Sequence, residues 1–171
     1  GATDLSWSPH GQRIAFRSAA GGSLDIWTIP ADGGAATRVT QDEHGDGSPV
    51  WSPDGKWVSY LSDKSGEGYE IYVRPADNEG AERQVTRGGK AWKFTPYWSP
   101  DSKMLAFADK DRTLHVVDVA SGAVTAVDRD EYGEINHYRW SPDSRWVAYT
   151  KLNEAQFGSI FVYSVPEKKS Y

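Results

Sequence analysis

Residues 51–77 read WSPDGKWVSYLSDKSGEGYEIYVRPAD, and the opening phrase of that stretch recurs along the chain. Trp51-Ser52-Pro53-Asp54 returns at Trp98-Ser99-Pro100-Asp101 and at Trp140-Ser141-Pro142-Asp143. Trp7-Ser8-Pro9-His10 is a fourth copy with His in the last place. The tryptophans lie 44, 47 and 42 residues apart. Self-similarity at that period marks a repeat architecture.

The flanks of the phrase repeat as well. Nine residues after each Trp stands an aromatic: Phe16, Tyr60, Phe107, Tyr149. Before it comes a small residue (Ala15, Ser59, Ala106, Ala148), and before that an aliphatic one (Ile14, Val58, Leu105, Val147). Pro, then Asp or His, then Gly or Ser suits a type I turn, because Pro presets φ at the second turn position. The phrase is therefore a hairpin corner. Trp closes one strand, and aliphatic-small-aromatic belongs to the next. That strand lacks polar alternation, as expected when both of its faces are covered. The small column would let a neighbouring sheet approach, and the aromatic column would fill the space beside it.

Each period holds four strand-like segments. In the first they are Thr3 to Trp7, Arg13 to Ser18, Asp25 to Ile29 and a polar outer strand, Thr37 to Thr40. Four short strands per period are the sequence sign of a β-propeller blade. The expected fold is all-β: a partial β-propeller of about four four-stranded antiparallel blades, at about 1–41, 42–87, 88–128 and 129–171. The last blade is expected to be incomplete, its fourth strand missing or only begun. An open arc would leave apolar sides of its end blades in water, which marks an interface. The expectation is a segment of a longer protein; alone, the chain would close as a small four-bladed ring or pair with a second copy to complete a larger one.

Composition narrows the function classes. The 171 residues carry 19 Lys and Arg against 24 Asp and Glu, a formal net charge of −5. That balance argues against a general nucleic-acid or anionic-membrane surface. There is no cysteine, so disulfides and thiolate metal sites are excluded. No apolar run is long enough for a spanning helix, and Gly1-Ala2-Thr3-Asp4 does not look like a signal peptide. No targeting segment is visible, which leaves a cytoplasmic or a periplasmic location open.

The chemistry-bearing residues are sparse. The Asp of each phrase is expected to brace its turn. No Gly-x-Ser-x-Gly elbow occurs, and Ser23 after Gly21-Gly22 belongs to a loop. The histidines, His10, His44, His115 and His137, show no zinc-binding spacing. Asp128, Asp130, Glu131 and Glu134 form an acidic loop whose spacing is not that of a calcium-binding hand. Catalytic residues, cofactors and metals are not expected on this chain. Asp4, Asp46, Lys93, Glu134 and His137 lie on or just before inner strands, and repeat alignment makes them the candidate lining of a channel.

The full pattern is Trp-Ser-Pro-Asp-Gly-Lys-x-aliphatic-Ala/Ser-aromatic, then Ser-Asp, Ile-Tyr, and Gly-Gly before Val-Thr. It resembles the WD40-like PD40 repeats of TolB-type propellers over nearly the whole chain. Two longer strings, DKDRTLHVVDVASG (residues 109–122) and DEYGEINHYRWSPDSRWVAYTK (residues 130–151), are similar to the propeller region of tricorn-like serine peptidases. That resemblance implies a non-catalytic part of a peptidase serving substrate access, product exit or scaffolding. Its partners would be peptides and the remainder of the peptidase chain. The alternative is a TolB-like protein-binding module without enzymatic activity. A prolyl-oligopeptidase-type propeller is a third reading.

Overall fold

The computed structural model describes residues 1–171, and all its regular secondary structure is β. In chain order the strands are β1 (Thr3–Trp7), β2 (Arg13–Ser18), β3 (Asp25–Pro30), β4 (Thr37–Arg38), β5 (Asp46–Trp51), β6 (Trp57–Ser62), β7 (Glu70–Pro75) and β8 (Arg83–Gln84). They continue as β9 (Tyr97–Trp98), β10 (Met104–Ala108), β11 (Thr113–Asp118), β12 (Val124–Arg129), β13 (Tyr138–Trp140), β14 (Trp146–Leu152), β15 (Gly158–Ser164) and β16 (Lys169–Ser170). Consecutive strands pair antiparallel into four four-stranded sheets, β1–β4, β5–β8, β9–β12 and β13–β16. Two compact units result, Gly1–Lys90 and Ala91–Tyr171, each holding two sheets.

The repeated phrase makes the same corner four times. The residue after the phrase donates its N–H to the phrase's Ser carbonyl: Gly11 to Ser8, Gly55 to Ser52, Ser102 to Ser99 and Ser144 to Ser141, at 2.9–3.0 Å. Those donors have φ of 61–71°, the left-handed region. Gly adopts it without strain, and Ser does so twice here. A type I turn followed by one left-handed residue is a common hairpin connection. The Ser hydroxyl accepts the N–H that opens the next strand at Arg13, Trp57, Met104 and Trp146, at 2.9–3.0 Å. In three copies it also donates to the phrase's Asp, at 2.5–2.6 Å. The Asp thus braces the turn, as its position in the phrase implies.

In the N-terminal unit, Ala15, Ile26 and Val39 of the first sheet pack against Trp51, Val58, Tyr60 and Tyr72 of the second. In the C-terminal unit, Ala106, Ala108, Leu114 and Val116 meet Ile135, Tyr138, Val147, Tyr149 and Tyr163. The small column on β2 and β10 is fully buried, which brings the aromatic column of the next sheet close. Each large apolar side chain removed from water here is worth about 1.5–3 kcal/mol.

Three details differ from the sequence reading. The outer strands β4 and β8 stop two residues early, because the N–H of Ile26 and of Ile71 is taken by the hydroxyls of Thr40 and Thr86 at 2.9 Å. The β5–β6 ladder is irregular between Gly47 and Val50, where Pro49 has no N–H to give. The fourth sheet has an outer strand after all. Lys169–Ser170 pairs with Tyr163 and Ser164, and at two residues it is as long as β4 and β8.

Candidate functional site

The five residues selected by repeat alignment fall into different settings. On β1, Asp4 has φ 54° and is exposed. It pairs with Arg17 at 3.4 Å and accepts the N–H of Ser48 at 3.3 Å. Gly47 permits this approach, since a Cβ there would lie 3.2 Å from Arg17 Nη1 and 3.6 Å from Asp4 Oδ2. Asp46, at the start of β5, is buried, and neither carboxyl oxygen has a hydrogen bond of good geometry. Burial pushes its carboxyl up to about 6, against the opposing pull of the Ser62 and Thr40 hydroxyls.

In the C-terminal unit, Lys93 is buried and forms an isolated bridge with Asp109. Glu134 pairs with Lys110 at 2.8 Å. His137 is exposed on the rim of an open depression of about 300 Å³ shared with Arg139, Ala148, Tyr149 and Ile160. Asp4 and Asp46 therefore flank one short stretch of β5, while each of the other three keeps its own surroundings.

Several polar groups escaped the sequence reading. In the N-terminal unit, the Tyr60 hydroxyl donates to Glu82, and Lys64 meets Glu82 at 2.6 Å. The Lys64 ammonium also lies 4.1 Å from the centre of the Tyr72 ring. Burial works to raise the Glu82 carboxyl, but Lys64 and the Tyr60 hydroxyl outweigh it and hold it below the ordinary range. Two further carboxylates enter β3 and β7. Asp25 takes Arg38 at 2.6 Å and Ser23 at 2.9 Å. Glu70 takes the Thr86 hydroxyl, together with the N–H of Gly89 at 2.9 Å. The signal for these was an acidic residue before Ile at the third strand, followed some 15 residues later by Val-Thr.

In the C-terminal unit, His115 Nε2 lies 2.7 Å from Asp109 Oδ2, and its ring stacks on Phe107 at 4.9 Å. A His–Asp pair orients an imidazole for base catalysis only when the other ring nitrogen serves a nucleophile. Here that nitrogen, Nδ1, is buried without a hydrogen bond. As it stands, the pair braces the β10–β11 hairpin.

The acidic loop is held by its own carboxylates. Asp130 is buried and accepts the N–H groups of Tyr132, Gly133 and Leu152 at 2.8–3.1 Å. Burial opposes ionisation, yet those three donors hold its carboxyl below the ordinary range. Asp128 takes Tyr149 Oη at 2.6 Å and Lys151 Nζ at 2.8 Å. These carboxylates are committed to bracing the loop and the β14 side chains above it.

Comparison with known proteins places these features in a family context. The profile described as TolB beta propeller domain matches residues 4–164. An uncharacterized protein of Agrobacterium fabrum is 28% identical over 158 residues, covering 85% of this chain and 53% of that protein. Tricorn protease homolog 1 of Streptomyces coelicolor is 33% identical over 100 residues, covering 58% of this chain and 9% of that protein. The Tol-Pal system protein TolB of Desulfosudis oleivorans is 34% identical over 95 residues, covering 55% and 20%. Among solved structures, putative TolB from Agrobacterium tumefaciens superposes with a TM-score of 0.76 at 19% identity, covering 99% of this chain and 60% of that one. The chain thus spans about half the length of the first of these relatives and a much smaller part of the other two.

Proposed function

The chain belongs to the TolB β-propeller domain family, and from that premise we propose that it serves proteolysis as a non-catalytic propeller segment of a tricorn-like serine peptidase. The observation that carries this reading is the 33% identity to the tricorn protease homolog of Streptomyces coelicolor, of which the matched part is only 9%. A module that is a small fraction of a peptidase can admit substrate, release product or scaffold the assembly while the chemistry sits elsewhere in the polypeptide. The polar groups described above support it too. Buried carboxylates such as Asp25, Glu70 and Asp130 are engaged in holding strands and loops.

A second reading is a TolB-like protein-binding module, favoured by the 34% identity to a Tol-Pal TolB. One experiment separates them: sequencing the parent gene beyond the codon for Tyr171. The proposal expects further blades and a serine-peptidase core downstream. A stop codon directly after Tyr171 would remove the catalytic half and leave the binding module. Peptide hydrolysis by the purified chain, persisting through further purification, would overturn both.

A further inference from the structure

In each unit the hairpin corners of the two sheets meet, and the two units build that meeting differently. In the C-terminal unit it is sealed. The N–H of Asp101 donates to the Ser144 hydroxyl at 3.0 Å, and Trp140 donates its indole N–H to the carbonyl of Tyr97 at 2.9 Å. Val165 packs against the core beside them. In the N-terminal unit the corresponding corners leave a notch of about 200 Å³, lined by Pro9, His10, Arg13, Trp51, Gly55 and Ala76.

Four departures from the repeat make the notch. Gly55 stands where the fourth sheet has Ser144, so no hydroxyl bridges the corners. Ala76 replaces the larger Val165, the equivalence being marked by their N–H bonds to Lys56 and Arg145. His10 takes the place held elsewhere by Asp54, Asp101 and Asp143, and Arg13 the place held by Trp57, Met104 and Trp146. An acidic position thus becomes an imidazole, and an apolar one a guanidinium. The donors here lack acceptors. Trp51 is 7% exposed and its indole N–H has no hydrogen bond, unlike that of Trp140. Arg13 is half-buried and gives Nη2 to the Thr28 hydroxyl at 2.7 Å, but its Nε is buried without a hydrogen bond and it forms no ion pair. Buried donors left unpaired cost free energy, and an anionic acceptor offsets that cost best where one of them is charged.

We propose that this notch binds the carboxylate of a peptide, with Arg13 as counter-charge and the His10 imidazole and Trp51 indole as further donors. The planar guanidinium fork suits a carboxylate. At about 30 Å³ per water, the notch has room for a carboxylate and the few carbons that carry it. Pro9, Trp51 and Ala76 give those carbons apolar walls. Asp77, the carboxylate on the rim, already accepts the N–H of Glu79 at 2.9 Å. A peptide C-terminus and an acidic side chain present the same group. The inference rests on the notch alone and not on the peptidase reading.

The test follows the Trp51 indole N–H resonance of the full 171-residue chain, identified by Trp51→Phe, during titration with short peptides. The probes are N-acetylated tetra-alanine as the free acid, its C-terminal amide, and that amide with one Ala replaced by Glu. The free acid, the Glu peptide or both should move the resonance at millimolar concentration, and which of them does so names the source of the carboxylate. The all-alanine amide should leave it in place. Arg13→Met, His10→Asp and Gly55→Ser each restore a residue the repeat carries elsewhere. Ser102 and Ser144 already hold the left-handed φ of Gly55, so that corner tolerates Ser. Each variant should weaken binding about tenfold or more, the scale of one hydrogen bond to a charged group. Should Arg13→Met lose the wild-type circular dichroism spectrum, the other two carry the comparison. No response to either carboxylate peptide, an equal response to the all-alanine amide, or affinity that survives the substitutions would overturn the proposal. None of these outcomes bears on what lies downstream in the gene.

Discussion

The N-terminal unit and the first sheet of the C-terminal unit attach their outer strands by different means. In the former, β4 and β8 have two residues each, and side chains complete the attachment. Thr40 accepts the N–H of Ile26 and reaches Asp25, and Thr86 accepts the N–H of Ile71 and donates to Glu70. In the latter, β12 has six residues and pairs with β11 from Thr113–Arg129 to Val117–Val124 through backbone bonds alone. A short polar strand offers few ladder bonds, so a buried carboxylate and a threonine make up the difference. A long ladder needs no such clasp. Clasping concentrates charge: Asp46 lies against Thr40 and Ser62 with a raised pKa, whereas burial at Asp109, Asp128 and Asp130 is outweighed by hydrogen-bond donors that lower theirs.

The sharpest way to break this contrast is to remove a clasp hydroxyl. Thr86→Val takes a hydroxyl donor from the buried Glu70 carboxylate and the acceptor from Ile71 N–H, and should cost about 3 kcal/mol in chemical denaturation. Thr125→Val on β12, where the backbone ladder holds the strand, should change stability by less than about 0.5 kcal/mol. Equal losses at the two sites would end the distinction.

A slightly smaller effect of opposite sign is expected at Asp46. Its folded pKa of about 6 lies above the ordinary value of 3.8, so the folded state holds the proton more tightly. Its contribution to stability is complete below the unfolded pKa and is lost as pH rises through the folded one. At about pH 8, Asp46→Asn should therefore stabilise the chain by about 2–3 kcal/mol, and by little at about pH 3, where both states are protonated. Melting curves of both proteins across that range test this. An unchanged melting temperature at the higher pH would show that Asp46 ionises without penalty.

The smallest effect sharpens the other side. Tyr149→Phe removes the 2.6 Å bond to Asp128 and should cost about 1–2 kcal/mol at neutral pH. Burial opposes ionisation of Asp128, but Lys151 and Tyr149 prevail and lower its pKa, so its contribution is present above the unfolded pKa and lost as pH falls through the folded one. The loss caused by the substitution should fade in acid accordingly. Carboxyl carbon chemical shifts followed against pH should show Asp128 titrating nearer the ordinary range in the variant. An unmoved titration would assign the lowering to Lys151 and the Arg129 N–H.

Much of the fold was legible because its signal is local. Trp-Ser-Pro-Asp forms its turn within five residues, and the hydroxyl and carboxylate that brace it are in the phrase itself. The clasps were half legible: Asp25 before Ile26 and Val39-Thr40 were visible as patterns, but their pairing crosses a hairpin. The candidate site was least legible. Repeat alignment put Asp46 and His137 in one class, yet one is buried and the other exposed. A bulge near Pro49 and the packing of neighbouring sheets decide that, and neither is encoded in the three or four residues on either side.

By itself, the sequence determined the number of blades, the place of each hairpin corner and the column of aromatics, since each follows from short-range chemistry repeated at a constant period. Only the tertiary structure decided which carboxylates are clasped and which one is buried with a raised pKa. Asp46 and His137 fall in one class by repeat alignment, and nothing local tells them apart. What separates them is what packs around each, and that is a property of the assembled fold.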